Sequence, residues 1–396
     1  MRFNFKFFST LTSVAFFSSC SLNTSGLVNL SSGNNSTPIN ILDGQVTALA
    51  AAIDGSETLY LGGEFKKFGS LSSPSIIRLD VEGHADANFS VGGGFDAGVN
   101  TLAIAHDGSN KVFAGGSFNH YNGLSVSGIA RLNVDGSLDS GFVSPLLAGS
   151  VVNSVIVGAD QKSVYVAGDF VLANLPLVHG VLRLGASGLN DSTFNVTFGA
   201  TVRALALASD GGVYAGGDFQ NLIAQVSLAG VVSPTYLLKG SLGSIKALAY
   251  NSGALLVGGA IKISNSSASI PLLRMNSLGM IDPSFSPAIG GSAATVYAVR
   301  VATDGSNTIY VGGDSLADQS GNALGGIARL NADASLDTTF VSLKKLSSAV
   351  LAIEYGNVQP VGEMYLGGSF SSYNGNPTNE IARLNADGTL DLSFTQ

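Results

Sequence analysis

The residues in this chain best placed to do chemistry come as pairs. Arg78 and Asp86, Arg131 and Asp139, Arg183 and Asp191, Arg274 and Asp282, Arg329 and Asp337, and Arg383 and Asp391 each stand eight residues apart. A guanidinium held against a carboxylate forms a planar, charge-assisted pair, which makes a structural latch rather than a catalyst. A second set, Glu64, Asp169, Asp218 and Asp314, each follows a small-residue pair that ends an apolar run. Carboxylates facing one another across a sugar linkage are the machinery of glycan cleavage, and these four would reach one end of the fold. Ser117, Ala260 and Ser369 hold the same place in other units, which favours a solvated rim. Tyr121 and Tyr373, each followed by Asn-Gly, are candidate aromatic rim contacts.

Other site chemistry is thin. His84, His106, His120 and His179 are the only histidines, and none recurs at an equivalent repeat position. A zinc site wants several ligands at characteristic spacing, so no metal ligands and no catalytic residues are assigned. Asn385, Asp387 and Asp391 resemble half of a calcium loop, as do Asn133, Asp135 and Asp139. Calcium wants six to eight oxygens and a distal Glu that these loops lack; turn geometry and the Arg partner account for the same residues. No cofactor is therefore expected, calcium being the one ion the loops would suit. Nothing in the sequence demands an enzyme.

The elements that position these residues are copies of one phrase. Ile381–Phe394 returns as Ile327–Phe340, Leu272–Phe285, Val181–Phe194, Ile129–Phe142 and Ile76–Phe89, and such self-similarity is read as an array before anything else. Seven units open near residues 46, 99, 152, 202, 245, 296 and 350. Each begins with an apolar strand, most then turn at an Asp-Gly pair, and a second strand rises to Gly-Gly or Ala-Gly. Asp-Gly suits a hairpin because Gly accepts positive φ; adjacent glycines in a strand mark a bulge or close backbone approach. In Asn385-Ala-Asp-Gly-Thr389 a three-residue loop with a bulge at Gly388 would face Leu384 with Leu390 and Arg383 with Asp391. A two-residue turn would put that Arg and Asp on opposite faces. The fourth unit has Ser227 and Ser233 where Arg and Asp are expected, in a segment read as two residues shorter; losing both together implies an interacting pair.

Seven units of four short strands predict an all-β fold, a seven-bladed β-propeller of four-stranded blades spanning residues 39–396. Ile39–Leu42 is expected to add an edge strand to the last blade and tie the termini together. Units ending Arg-Leu-Asn-x-Asp-Gly-x-Leu-Asp-x-x-Phe after Gly-Gly-x-Phe resemble the delta-60 repeat family, predicted β-propellers of bacterial surface and secreted proteins. Units two and seven fit best, with Gly115-Gly116-Ser117-Phe118 and Gly367-Gly368-Ser369-Phe370; unit five has Ile261 and unit six Ser315 where Phe is expected. The resemblance implies fold and location and supplies no reaction.

Composition narrows the partners. Apolar residues make up 45% and charged residues 12%, with 51 Gly, no Trp and a net charge of −8. No basic stripe forms, which speaks against nucleic acid. Residues 1–19 combine Arg2 and Lys6, an apolar run from Phe7 to Phe17, and Ser18-Ser19, the layout of a secretory signal. The next residue, Cys20, is the only cysteine, and the junction resembles the cleavage box of bacterial lipoproteins, with Phe17 in place of the usual Leu. Residues 20–38 then read as lipidated Cys and flexible tether, rich in Ser, Asn and Gly. Ser21 rather than Asp follows the Cys, so an outer-membrane or cell-surface position is expected, with the membrane met through the lipid alone. The sequence thus describes a lipid-anchored scaffold binding a protein or carbohydrate at the cell envelope. A glycan hydrolase or lyase with acids at the ring mouth, and a structural surface-layer component, are the rival readings. Cys20→Ser should release the protein from membranes into the soluble fraction; a variant that stays attached, together with an unlipidated mass for the wild type, would rule the anchor out.

Overall fold

The structure, a computed structural model, describes residues 42–394 except 174, 264–268, 341–345 and 357–362. The signal (1–19), Cys20, the tether (20–38) and Ile39–Ile41 lie outside the described residues. No helix occurs among the described residues; seven sheets of three or four strands follow one another along the chain. Within each sheet the strands run antiparallel as a meander, inner to middle to outer. In the second sheet these are Val99–Ile104, Val112–Gly116 and Ile129–Leu132. Each middle strand is buried on both faces and reads as an unbroken apolar run (Val112-Phe-Ala-Gly-Gly116) instead of alternating.

The fourth strand expected in each unit is nearly absent. Leu132 bridges Leu138, and Leu384 bridges Leu390, after which pairing stops. The reason is local. Asp139 Oδ1 accepts the Gly141 amide at 2.9 Å and Asp391 Oδ1 the Ser393 amide at 2.8 Å, an Asx-turn that bends the chain off the ladder two residues on. Among the described residues only the third sheet keeps a fourth strand, Asn190–Phe198; the same Asx-turn interrupts it, Asp191 Oδ1 accepting the Thr193 amide at 2.9 Å, and the strand resumes beyond that bulge so that Val196 faces Val181. The turn itself forms as expected: Gly388 takes φ +84°, its amide donates to Asn385 O, and the Asp391 amide donates to Arg383 O.

The paired glycines do two different jobs. A Cβ on the first of the pair would meet the opening residue of the next sheet: 2.6 Å from Val99 Cγ1 at Gly62, 2.5 Å from Val152 Cγ1 at Gly115 and 2.5 Å from Ile245 Cγ2 at Gly216. A Cβ on the second would strike the backbone of its own sheet, the carbonyl of Gln45 at Gly63 and of Gly98 at Gly116. One glycine lets sheet pack on sheet, and the other lets inner and middle strands close at a bulge. The succession returns to its start. Gly367 of the last sheet lies 2.5 Å from Val46 Cγ1 by the same measure, and Val46, Leu49 and Leu59 share a core with Ala352, Tyr365 and Ile381.

The N-terminal edge corrects an expectation. Leu42 does not pair with the last sheet; it is buried and bridges Phe68 in the first unit. The same role falls to Phe95, which bridges Tyr121, and Leu346, which bridges Tyr373. The receiving segments are small hairpins, such as His120–Tyr121 with Leu124–Ser125 turning at Asn122 (φ +48°) and Gly123 (φ +76°), the left-handed pair that an Asn-Gly turn needs. In the sixth unit Leu316 is buried at 2% and approaches Gly313 as Phe65 approaches Gly63, so the Phe displaced by Ser315 is replaced one residue later.

Gly116→Ala should lower stability by about 3 kcal/mol, since a backbone carbonyl has to move, while Gly123→Ala, with open space at its Cβ, should cost about 1 kcal/mol through its positive φ alone. Urea midpoints of the two variants check the ranking, and equal losses would refute the close-approach account.

Candidate functional site

All six Arg–Asp pairs meet. Nε–Oδ2 distances are 2.8 Å for Arg78–Asp86, 2.6 Å for Arg131–Asp139 and 2.7 Å for Arg383–Asp391; Arg183–Asp191, Arg274–Asp282 and Arg329–Asp337 are closed as well. Two further contacts were not legible in the spacing. Each guanidinium lies over the Phe that ends its phrase, 5.2 Å from Phe89, 5.2 Å from Phe142 and 4.5 Å from Phe285. Each also sends Nη1 to a turn carbonyl of the next sheet: Arg78 to Val134 at 2.7 Å, Arg131 to Ala186 at 2.7 Å, Arg183 to Leu228 at 2.7 Å and Arg383 of the last sheet to Val81 of the first at 2.5 Å. Arg329 reaches Ala386 in the same way.

The fourth unit is corrected by its register. Tyr214 faces Gln225 as Phe113 faces Arg131, and the Ser233 amide donates to Gln225 O as the Asp139 amide donates to Arg131 O. Gln225, not Ser227, therefore holds the Arg place; the segment is not shorter, and both members of the pair are still lost together. Ser227 stands at the turn position that Asn133 holds in unit two.

The unit-to-unit variation that sequence reasoning missed lies on the inner strands. Register shifts after Val46, Val99, Val152, Val202, Ile245, Val296 and Val350 leave one bulged residue each. These are Thr47, Asn100, Asn153, Arg203, Lys246, Tyr297 and Leu351, all partly exposed. Because the inner strands neighbour one another in succession, first with last included, the seven form a collar. Thr47 Oγ1 donates to Val99 O at 2.5 Å, Asn100 Nδ2 to Val152 O at 3.0 Å and Asn153 Nδ2 to Val202 O at 3.0 Å, each reaching the next inner strand. The pattern then changes. Arg203 Nε turns to Asp218 at 2.8 Å, and Asp218 accepts the Ser244 hydroxyl at 2.5 Å. Lys246 has no hydrogen-bond partner among the described residues; burial, and then the neighbouring charge of Arg203, lower its pKa against the pull of Asp218. Aligning the units on their opening Val would have exposed this column, since it is the residue directly after it.

The four rim carboxylates do not converge. Asp218 is committed to Arg203 and Ser244. Asp169 holds His179 Nδ1 at 2.6 Å and accepts Thr201 Oγ1 at 3.0 Å. Glu64 is exposed and takes Gln45 Nε2 at 2.9 Å, and Asp314 is exposed. Tyr121 and Tyr373 are not rim contacts. Their rings are buried to 1% and 0%, and their hydroxyls donate to the Gly136 and Gly388 carbonyls; the aromatic ring is needed under the hairpin, not on it. His120 meets Asp96 at 2.8 Å and His84 lies near Asp80 and Glu82, both on the exposed surface. In the loops compared with calcium sites, Asp387 Oδ1 accepts the Thr389 amide and hydroxyl, and Asp391 accepts from Ser393 and Arg383; a cation there would compete with those donors.

Residues 108–142, 305–340 and 359–394 match a family model described as a domain of unknown function (DUF5122) β-propeller. The chain is a β-propeller repeat protein. Its structure resembles a streptogramin B lyase with a TM-score of 0.50 at 15% sequence identity, over 85% of this chain and 93% of that one. A catalytically inactive virginiamycin B lyase from Staphylococcus aureus, solved with quinupristin, is similar with a TM-score of 0.49 at 14% identity, over 83% of this chain and 92% of that one. At such identity the likeness is one of fold. Among the curated proteins none matches the sequence.

The charge state of this propeller's latches follows from their neighbours. Burial raises Asp391, but the Ser393 hydroxyl and amide and Arg383 outweigh it and hold the carboxyl below its ordinary value. The same balance holds for Asp139, with Lys111, the Gly141 amide and Arg131. The Thr193 hydroxyl, then Arg183, bring Asp191 down to about 2. Carboxyls that ionise more readily when folded stabilise fully above the unfolded value of about 3.9, and that stabilisation is lost as pH falls through the folded values. The urea midpoint should therefore hold steady from neutral pH to about 5 and fall between about 4 and 2. With only 7% and 13% of the Arg383 and Asp391 side chains exposed, Asp391→Asn should cost on the order of 2–3 kcal/mol at neutral pH and make the acid limb shallower; a variant whose midpoint parallels wild type at every pH would exclude the latch as its source.

Proposed function

We propose that this chain is an exported, lipid-anchored propeller of seven blades, each sheet counted as one, built from units of the delta-60 kind. It acts as a binding scaffold at the bacterial cell envelope, at the outer membrane or cell surface. Its ligand is a protein or carbohydrate met at the collar end of the ring. One observation carries the reading. Gly-Gly pairs, latches and terminal aromatics recur from unit to unit, whereas the collar position holds Thr47, Asn100, Asn153, Arg203, Lys246, Tyr297 and Leu351. A scaffold needs the repeated positions to fold. Only the position freed from the ladder by a bulge can vary without cost to pairing, and bulges re-aim side chains in this way next to functional sites. Asp218 and Asp169 are engaged with Arg203, Ser244, His179 and Thr201, and the exposed Glu64 and Asp314 do not join them, so no pair of carboxylates faces a common point and recognition fits better than catalysis.

The lyase alternative keeps one supporting observation. Asp169 holds His179 by Nδ1 at 2.6 Å, and a carboxylate that fixes an imidazole in this way can poise its other nitrogen as a base. Glycan and peptide arrays probed with the soluble Cys20→Ser protein separate the two. For a scaffold, a ligand is retained unchanged, and Lys246→Ala combined with Tyr297→Ala weakens binding roughly tenfold or more. Ligand that is consumed over time, with turnover abolished in His179→Ala while binding persists, would replace the scaffold reading with the lyase one.

A further inference from the structure

A single place in the scaffold lacks the ring that its counterparts carry. On the ladder, the middle-strand residue facing the latch Arg is Tyr60, Phe113, Tyr165, Tyr310 or Tyr365, and Tyr214 faces Gln225; in the fifth sheet it is Leu256, facing Arg274. The ring packs against the following sheet, as Tyr60 clusters with Ile104 and Val112. The counterparts of those two residues beside Leu256 are Val301 and Ile309. They line, with Leu256, Arg274, Asn251 and Asn307, a cavity of about 210 Å³ between the fifth and sixth sheets.

Arg274 shows the same deficiency from its side. Arg78 lies between two rings, Tyr60 at 5.5 Å and Phe89 at 5.2 Å, and Arg329 between Tyr310 and Phe340. Arg274 stacks on Phe285 alone among the described residues, as Arg183 does on Phe194 and Arg383 on Phe394, so the hydrogen bond is what sets it apart. Its Nη1 reaches Ala332 O only at 3.5 Å, against 2.7 Å for Arg78 to Val134. In the first sheet that nitrogen also donates to the Tyr60 hydroxyl at 3.0 Å. The Nη1 of Arg274 is thus a donor with a long bond, at the wall of a cavity left by a missing phenol.

We propose that this cavity is a binding site for a phenolic ring, free or carried on a tyrosine side chain. The ring takes the place that Tyr60 occupies in the first sheet, its faces against Leu256, Val301 and Ile309, and its oxygen accepts from Arg274 Nη1. An enclosed apolar cavity of comparable size holds benzene; this one is open on one side and has Asn251, Asn307 and Arg274 in its wall, where the guanidinium adds a hydrogen bond and, for an aromatic ring, a cation–π attraction that a saturated ring lacks. The site is separate from the collar and does not depend on what the collar binds.

The test titrates p-cresol, the tyrosine side chain as a free molecule, into the full chain and follows binding by ligand-observed NMR. Saturable binding is expected, with 4-methylcyclohexanol at least tenfold weaker. Leu256→Tyr should abolish p-cresol binding while leaving the protein folded, since Tyr is what other sheets hold there. Leu256→Phe, which copies Phe113 of the second sheet, serves if Leu256→Tyr does not fold. N-acetyltyrosinamide as a second probe assigns the source: binding of both means the mouth admits a tyrosine side chain, binding of p-cresol alone a free phenol, and both results support the site. Failure of p-cresol to saturate at millimolar concentration, or undiminished binding in the ring-filled variants, would overturn it.

Discussion

The arginine that six of the seven sheets share holds this molecule together, because its planar head has enough donors to serve two sheets at once. Nε or Nη2 meets the aspartate of its own hairpin, the face rests on the closing aromatic, and Nη1 crosses to a carbonyl of the next sheet. A lysine offers a point charge and could not satisfy all three. Since the last of these crossings runs from Arg383 to Val81, the interaction that shapes one hairpin also joins the chain's last sheet to its first. The glycine pairs set the complementary limit, keeping sheets and strands near enough for that reach.

One junction lacks the crossing. Gln225 and Ser233 replace the pair in the fourth sheet, and the gap toward the fifth is filled by rings: Tyr214 lies 4.9 Å from Tyr236 and 5.4 Å from Tyr250. Apolar and aromatic packing there does what charge does elsewhere, consistent with the near equivalence of a buried ion pair and a well-packed apolar substitute. The departures cluster. The collar changes from amide struts to Arg203 and Lys246 at the fourth and fifth sheets, and Leu256 vacates its ring position in the fifth. Units released from the shared pattern are where a repeat protein has room to specialise.

This distribution connects packing to function. Positions that bear on two sheets tolerate few alternatives, because one methyl group on Gly115 or Gly116 meets another strand. A bulged residue contributes no ladder bond and can take any chemistry. Binding at the collar and ring insertion between the fifth and sixth sheets both use places where the scaffold makes no demand on the side chain.

The sequence by itself determined the repeat, the strand order within a unit, the three-residue turn and the opposition of Arg383 and Asp391, because these depend on neighbours within about twenty residues and on the two-residue period of a strand. It also carried the loss of both latch members in unit four, though not the place of the first: counting alone chose Ser227, and only pairing with Tyr214 identified Gln225. What required tertiary structure was everything between sheets. The crossing from arginine to the next turn, the reason for the first glycine, the burial of Tyr121 and Tyr373, and the cavity beside Leu256 all depend on how segments distant in the chain come together. The early end of the fourth strand belongs to neither category. The turn that interrupts it, an aspartate oxygen taking an amide two residues on, is local and is present also where the strand resumes, but that same side chain also had to be seen holding the arginine. A side chain's second contact is set by where the fold brings its free lone pairs, and no spacing along the chain encodes that.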